Sequence, residues 1–158
     1  CDRVKMANIA QMVNVLQAVV LTDGPKMLLT PTYHVFDLFK VHQDATWLPT
    51  ELISEDYQFG RDKIPALQAS ASKDAGGKIH LSLCNFDPTR ARDLTAVLQG
   101  AEAKQVSGQI LTADIITAHN TFDNPEVVKP ESFSGASLQG NRISLTMPPK
   151  SIVVLEVE

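Results

Sequence analysis

The chain has 158 residues, of which 44% are hydrophobic and 20% are charged, and its formal net charge is −4. This composition is ordinary for a soluble globular protein, and the acidic balance predicts that neither nucleic acid nor a membrane is a partner. No apolar run is long enough to span a bilayer. The sequence opens with Cys1-Asp2-Arg3 and has no initiator methionine, so we expect a segment cut or processed from something longer.

The first twenty residues have the apolar spacing of an amphipathic helix. Asp2 is a suitable N-cap for that helix. Thr22-Asp23-Gly24-Pro25 then predicts a break in the chain. The apolar residues recur at three- and four-residue steps and are Met6, Ile9, Ala10, Val13, Leu16 and Val20.

A short apolar strand and a second helix follow the break. The strand covers Lys26–Leu29, and Thr30-Pro31 is a favourable helix start with Thr30 as N-cap and Pro31 in the first turn. Val35, Phe36 and Phe39 continue the apolar face of this helix. A strand between two helices is the unit of a parallel α/β structure, but one such unit cannot cover both faces of a sheet. We therefore expect that the remainder of a sheet or barrel lies elsewhere.

After Trp47-Leu48-Pro49 the apolar period changes from that of a helix to two. Several short alternating strands separated by turn residues predict an antiparallel β-sandwich. We place the domain boundary so that residues 1–48 form the α/β part and residues 49–158 form the sandwich. The alternating runs are Leu67/Ala69/Ala71, Ile79/Leu81/Leu83, Leu94/Ala96/Leu98, Val106/Gly108/Ile110, Ile143/Leu145/Met147 and Val153/Leu155/Val157.

Few residues suggest chemistry. Cys1 and Cys84 predict two free thiols and neither a disulfide framework nor a metal site. His34 could line a site at the start of the second helix, although a hydrogen-bonded structural histidine is the favoured interpretation. A polar cluster could be a metal or sugar loop, but such residues more often form turns. Its members are His119, Asn120, Asp123, Asn124 and Glu126. We expect no metal and no cofactor.

An ordered set of short motifs resembles the α-L-arabinofuranosidases of glycoside hydrolase family 51. The similarity runs over essentially the whole chain, and the set is more specific than any one motif. The motifs occupy residues 5–16, 30–36, 84–91, 118–125, 128–130 and 148–151.

The resemblance implies a fold and an activity. The fold would be the last α/β elements of a (β/α)8 barrel followed by an antiparallel jelly-roll-like β-sandwich. Family members are retaining exo-enzymes that release terminal arabinofuranose from arabinan- and arabinoxylan-type glycans. Their two catalytic glutamates lie on barrel strands four and seven, so the resemblance assigns no catalytic residue to this chain.

The resemblance also suggests a place for substrate contacts. Some family members carry a glutamine at the end of barrel strand eight that touches the sugar, and Leu29 stands at that position here. Thr30, Tyr33 and His34 follow the strand at the face where barrel active sites form. We predict that these three residues bind substrate.

The predicted partners are the upstream catalytic barrel of the same enzyme, arabinose-containing oligosaccharides and further copies in a homo-oligomer. We expect a bacterial cytoplasmic location rather than secretion. The alternative is a non-catalytic carbohydrate-binding or assembly module, which would need exposed aromatic side chains on a sheet face. The sandwich half offers only Phe86, Phe122 and Phe133, with Tyr57 and Phe59 at its edge, and no tryptophan.

Overall fold

The computed structural model describes residues 8–9, 11–16 and 18–158. Its described elements comprise one α-helix, one 3-10 helix and short strands, so the fold is mostly β. In chain order they are β1 Val20–Asp23, β2 Lys26–Leu29, α1 Pro31–Phe39, a 3-10 helix Lys40–His42, β3 Thr46–Leu48, β4 Asp56–Phe59, β5 Asp62–Pro65, β6 Leu67–Lys73, β7 Ile79–Asn85, β8 Arg92–Val97, β9 Val106–Leu111, β10 Glu131–Ser132, β11 Ala136–Gln139, β12 Arg142–Met147 and β13 Ser151–Val157.

The prediction of an N-terminal helix is wrong for the residues that can be compared with it. Residues 8–9 and 11–16 are not helical, and Val20 begins strand β1. Asn14 and Leu16 have φ angles of 59° and 52°, which an α-helix does not allow. No described element covers Leu16, which is 91% exposed. A short helix without tertiary packing is marginal in water. Asp2, Met6 and Ala10 lie outside the described residues.

The strand and the helix predicted next are both confirmed. Strand β2 pairs antiparallel with β1, so it belongs to a hairpin and not to a parallel α/β unit. The α/β elements of a barrel are therefore not evident among the described residues. Helix α1 starts where the sequence predicts: Thr30 is the N-cap in an extended conformation, and Pro31 follows it in the first turn.

Two antiparallel sheets form the sandwich. A six-stranded sheet, here called the large sheet, has the order β10-β9-β13-β7-β6-β3, and a three-stranded small sheet has the order β11-β12-β8. The six runs with a period of two all form strands, as predicted: β6, β7, β8, β9, β12 and β13. The prediction of an antiparallel sandwich is thereby confirmed at the level of fold class.

The main core fills the space between the two sheets. The alternating residues of the large sheet meet those of the small sheet, as a period of two requires when one face is buried. Val153, Leu155, Ile143 and Met147 are completely buried there. The large sheet further contributes Leu67, Ala71, Leu81, Leu83, Ile110 and Val157, and the small sheet contributes Leu94 and Leu145.

The opposite face of the large sheet is covered by helix α1 and by residues 112–130, here called the long loop. Leu38 of α1, Leu111, Val128 of the long loop and Val154 of β13 form a second apolar cluster. Val35, Phe39 and Val41 pack around it. Strand β13 is thus covered on both faces, which explains why Ile152 and Val154 are apolar as well as their inward-facing neighbours.

The sequence did not indicate several short strands. Strands β4 and β5 form a two-stranded hairpin within the stretch taken as an interdomain loop. Its residues Phe59 and Ile64 are exposed, so no burial pattern marks them. Strands β10 and β11 are also short and were not predicted. Edge pairings of this kind depend on neighbours that are distant in sequence.

Cys84 is a half-buried free thiol on β7, and burial raises its pKa. Cys1 lies outside the described residues. In the described part of the chain, no helix has the length and apolar character needed to cross a membrane.

Candidate functional site

Thr30, Tyr33 and His34 lie together where β2 ends and α1 begins. The Thr30 hydroxyl donates to the carbonyl oxygens of Ala18 and Val19 at 2.8 and 3.0 Å, and it accepts a long hydrogen bond of 3.5 Å from the Tyr33 amide. The side chain therefore fixes the start of the helix against the chain that enters β1. Because the Thr30 hydroxyl is hydrogen-bonded to the backbone, the methyl group is the part of the side chain that can contact a ligand.

Tyr33 and His34 present neighbouring rings in the first turn of α1. Their ring centroids are 5.5 Å apart and their planes meet at 86°, an edge-to-face contact. Burial lowers the pKa of His34, whereas the charges of Asp37 and Glu126 raise it to a smaller extent. A neutral imidazole donates from one nitrogen and accepts at the other, which suits a hydroxyl-rich ligand.

The long loop reaches this junction through Asn120. The carboxamide nitrogen of Asn120 donates to the carbonyl oxygens of Leu29 and Val128, both at 2.9 Å. Its oxygen accepts from the Val128 amide at 2.7 Å. Asn120 is 5% exposed, so the contact between the loop and the end of β2 is shielded from water.

The polar cluster seen in the sequence is a turn, as favoured. The Thr121 amide donates to the Asn124 carbonyl oxygen at 3.0 Å, and the Asn124 amide donates to the Thr121 carbonyl oxygen at 3.1 Å. Glu126 pairs with Lys129 at 2.6 Å. Sequence reasoning did not single out Asn120 within this cluster, because its partner Leu29 lies 91 residues away.

A groove of about 930 Å³ runs along the long loop. Its polar lining includes Thr112, Asp114, His119 and Lys129, with Ile115 among its apolar residues. Thr30, Tyr33 and His34 do not line it, so the groove is separate from the junction between β2 and α1.

A second cluster of polar side chains, centred on His42, lies between the 3-10 helix and the large sheet. The two ring nitrogens of His42 are each 2.6 Å from a serine hydroxyl, Nδ1 from Ser72 and Nε2 from Ser82. His80 lies opposite Ser72 on strand β7, and its Nε2 atom is 2.9 Å from a carboxylate oxygen of Asp74. Burial lowers the pKa of His42, and the nearby charge of His80 lowers it further. The cluster fastens the end of the helical segment to the sheet.

The acidic side chains that take part in ion pairs serve the structure. Asp87 is buried beneath Arg92 and accepts hydrogen bonds from the amides of Thr89 and Arg90 at 3.0 and 2.9 Å. The other paired carboxylates belong to Asp37, Glu55, Glu126, Glu156 and Glu158, whose partners are lysine or arginine side chains, and to Asp74, which lies 2.9 Å from His80. Glycoside hydrolysis instead needs two carboxyl groups that face one scissile bond.

The architecture and the junction define a class: an antiparallel β-sandwich domain whose outer face carries a helix and a long loop. Comparisons with known proteins then give the family. The sequence model of the α-L-arabinofuranosidase C-terminal domain matches residues 1–151. The chain belongs to this family.

Individual relatives agree with that assignment. An intracellular exo-α-L-arabinofuranosidase of Bacteroides ovatus is 46% identical over 158 residues, which cover 99% of this chain and 31% of the relative. The crystal structure of a GH51 arabinofuranosidase from Xanthomonas axonopodis pv. citri is 46% identical, with a TM-score of 0.96 over 99% of this chain and 32% of that one. A thermostable GH51 α-L-arabinofuranosidase from Thermotoga petrophila is 29% identical, with a TM-score of 0.85 over 99% of this chain and 34% of that one. The chain thus spans about a third of the length of these proteins.

Proposed function

We propose that this chain is the C-terminal part of an exo-acting, retaining α-L-arabinofuranosidase that removes terminal arabinofuranose from arabinan- and arabinoxylan-type glycans. The single observation that carries the proposal is the family match over residues 1–151. The TM-score of 0.96 to a GH51 arabinofuranosidase supports it. In this proposal the chain supports a catalytic barrel that supplies both glutamates, and it is inactive alone.

The division of the chain follows from that role. We place residues 1–48 at the end of the (β/α)8 barrel and residues 49–158 in a jelly-roll-like sandwich. The β1–β2 hairpin and residues 11–16 leave Met12, Leu16 and Met27 exposed, which supports a missing neighbour on this side. The contact of α1 with the large sheet would then join the two parts of the enzyme.

Thr30, Tyr33 and His34 are the proposed substrate contacts, where the β1–β2 hairpin ends and α1 begins. The adjacent rings of Tyr33 and His34 support this role, since they offer hydrogen-bonding groups and an apolar face to a sugar. Thr30 contributes mainly by fixing the helix start, because its hydroxyl is already bonded to the backbone.

The proposed partners are the catalytic barrel of the same enzyme, arabinose-containing oligosaccharides and further copies of the enzyme in a homo-oligomer. We propose a cytoplasmic location, which is supported by the naming of the Bacteroides ovatus relative as an intracellular enzyme.

A chimera tests the function. Residues 1–158 replace the matching third of the Bacteroides ovatus relative, and hydrolysis of an aryl α-L-arabinofuranoside is measured. We expect activity in the chimera and none in the same protein with its C-terminal third deleted. A folded chimera that does not hydrolyse the glycoside would contradict the proposal.

A further inference from the structure

We infer that Asn120 is a positioning residue that sets the geometry of the proposed sugar contacts from the sandwich side, an inference that rests on the proposed function. Asn120 lies in the long loop, and its carboxamide crosses to the carbonyl oxygen of Leu29, the last residue of β2. The next residues along the chain are Thr30, the helix N-cap, and the first turn of α1.

The peptide unit between Leu29 and Thr30 is held from both sides. Its carbonyl oxygen accepts from the Asn120 carboxamide at 2.9 Å, and its amide donates to the Val19 carbonyl oxygen at 3.2 Å. A planar peptide fixed at both polar atoms has little freedom to rotate. Because α1 begins at this peptide, its orientation determines where Tyr33 and His34 point.

Asn120 is itself held rigidly. Its second donor bond goes to the Val128 carbonyl oxygen, and its own oxygen accepts from the Val128 amide. Val128 in turn lies in the apolar cluster with Leu38 of α1. The loop, the helix and the end of β2 therefore form one connected unit in which Asn120 supplies the polar link.

The chain offers a matched control in Asn85. This residue is 3% exposed, and its carboxamide nitrogen donates to the carbonyl oxygens of Arg90, Met147 and Pro148 at 3.0, 3.2 and 2.8 Å. Its oxygen accepts from the Asp87 amide at 3.0 Å. Asn85 resembles Asn120 in burial and bonding, but its partners lie within the sandwich and none belongs to β2 or α1.

The experiment compares Asn120→Asp with Asn85→Asp in the chimera described above. Each change keeps the side-chain shape and removes the amide donors. We expect Asn120→Asp to raise KM for the aryl arabinofuranoside by about 3- to 10-fold, with kcat within about twofold. The reason is that Tyr33 and His34, which the change displaces, are proposed to bind the substrate and not to take part in the chemical step. Asn85→Asp lowers the melting temperature and leaves KM unchanged.

Amide hydrogen exchange gives a second readout that does not depend on catalysis. Peptides that cover residues 29–34 should exchange faster in Asn120→Asp than in Asn85→Asp or the parent chimera. If either aspartate variant fails to fold, Asn120→Ser and Asn141→Asp take their places. Asn141 donates a carboxamide bond only to Leu98 among the described contacts, so its loss is milder.

Three outcomes decide the inference. A KM rise and faster exchange confined to the Asn120 variant support it. Equal losses of stability, with KM and the exchange of residues 29–34 unchanged in both variants, overturn it. A parent chimera without hydrolysis contradicts the proposed function, and the exchange comparison alone then decides whether Asn120 fixes the end of β2.

Discussion

Asp87 shows how a buried charge organises a turn at the scale of one residue. Burial raises the pKa of its carboxyl group, but hydrogen bonds from the Thr89 amide, the Arg92 guanidinium and the Arg90 amide outweigh this and lower the pKa to about 2. The motif at residues 84–91 thus has a structural reason. It holds the turn after β7 close to the start of β8.

Asp87→Asn should cost about 1.5–3 kcal/mol of unfolding free energy at pH 7, because charge-assisted bonds to Arg92 and the turn amides are weakened. The folded-state pKa of about 2 lies below the ordinary 3.8, so the unfolded chain binds the proton more readily. The wild type should therefore lose this stabilisation as the pH falls from about 4 to about 2, and the variant should lack that component.

Denaturant titrations at several pH values measure both effects. Asp93→Asn is the control, because exposed Asp93 accepts a bond from the neutral Thr146 hydroxyl. This substitution should change the free energy of unfolding by less than about 0.5 kcal/mol. Identical acid profiles for Asp87→Asn and the wild type would show that the turn does not depend on the charge.

His42 gives a second prediction at this scale. Burial, followed by the charge of His80, lowers its pKa below 6.5, so the unfolded chain binds the proton first, and stability should fall as the pH drops below 6.5. His42→Leu should remove this pH dependence and cost about 1–2 kcal/mol at pH 8 through the lost bonds to Ser72 and Ser82.

Thermal melts between pH 5 and pH 8, read by circular dichroism, give the comparison for His42. His119→Leu, at an exposed loop position, is the matched control variant. A His42→Leu profile with the slope of the wild type would mean that another group carries the titration.

Strand β13 illustrates the scale of one element. It pairs with β7 on one side and β9 on the other, and it is covered on both faces, so it is the central strand of the large sheet. Its inward face, Val153, Leu155 and Val157, was predicted from alternation and is confirmed by burial. The opposite face carries Glu156, which forms an ion pair with Lys78 at 2.7 Å.

Leu155→Ala should therefore cost about 2–5 kcal/mol, the range for emptying a buried leucine site. Glu156→Ala should cost less than about 1 kcal/mol, because its ion pair with Lys78 is partly exposed to water. Urea denaturation of the two variants makes the comparison, with Glu156→Ala as the neighbouring control. Equal midpoints would mean that the two faces do not differ in the way that their burial indicates.

The whole molecule is a β-sandwich domain of the α-L-arabinofuranosidase C-terminal family. It spans about a third of the relatives it matches, and the carboxylates in its ion pairs neutralise cations within the sandwich and its outer layer. Its proposed contribution to catalysis is to support one end of a barrel and to position a few side chains there.

The purified 158-residue chain should therefore show no hydrolysis of an aryl α-L-arabinofuranoside, because the resemblance places both catalytic glutamates outside it. A fluorogenic assay on the isolated chain, beside the active chimera as positive control, makes the measurement. Hydrolysis that co-elutes with the pure chain through two chromatographic steps would contradict this expectation.

The sequence by itself predicted what depends on neighbouring residues. Alternation located β6, β7 and β13, and Thr30-Pro31 located the start of α1, because side-chain period and capping are set within a few positions of the chain. The motifs, taken together, also indicated the family. The roles of Thr30, Tyr33 and His34 in binding substrate stay a prediction.

Only the tertiary structure decided which surfaces meet. The apolar stripe at residues 6–20 predicted a helix, but a helix of that kind forms when another element covers it, and here Leu16 is exposed. Likewise Asn120 reads as a turn residue until the fold brings it to Leu29, and His42 reads as a continuation of the second helix until Ser72 and Ser82 face it. Such hydrogen bonds join residues 30 to 91 positions apart, and their partners are fixed by the order in which strands and loops pack, which no local pattern encodes.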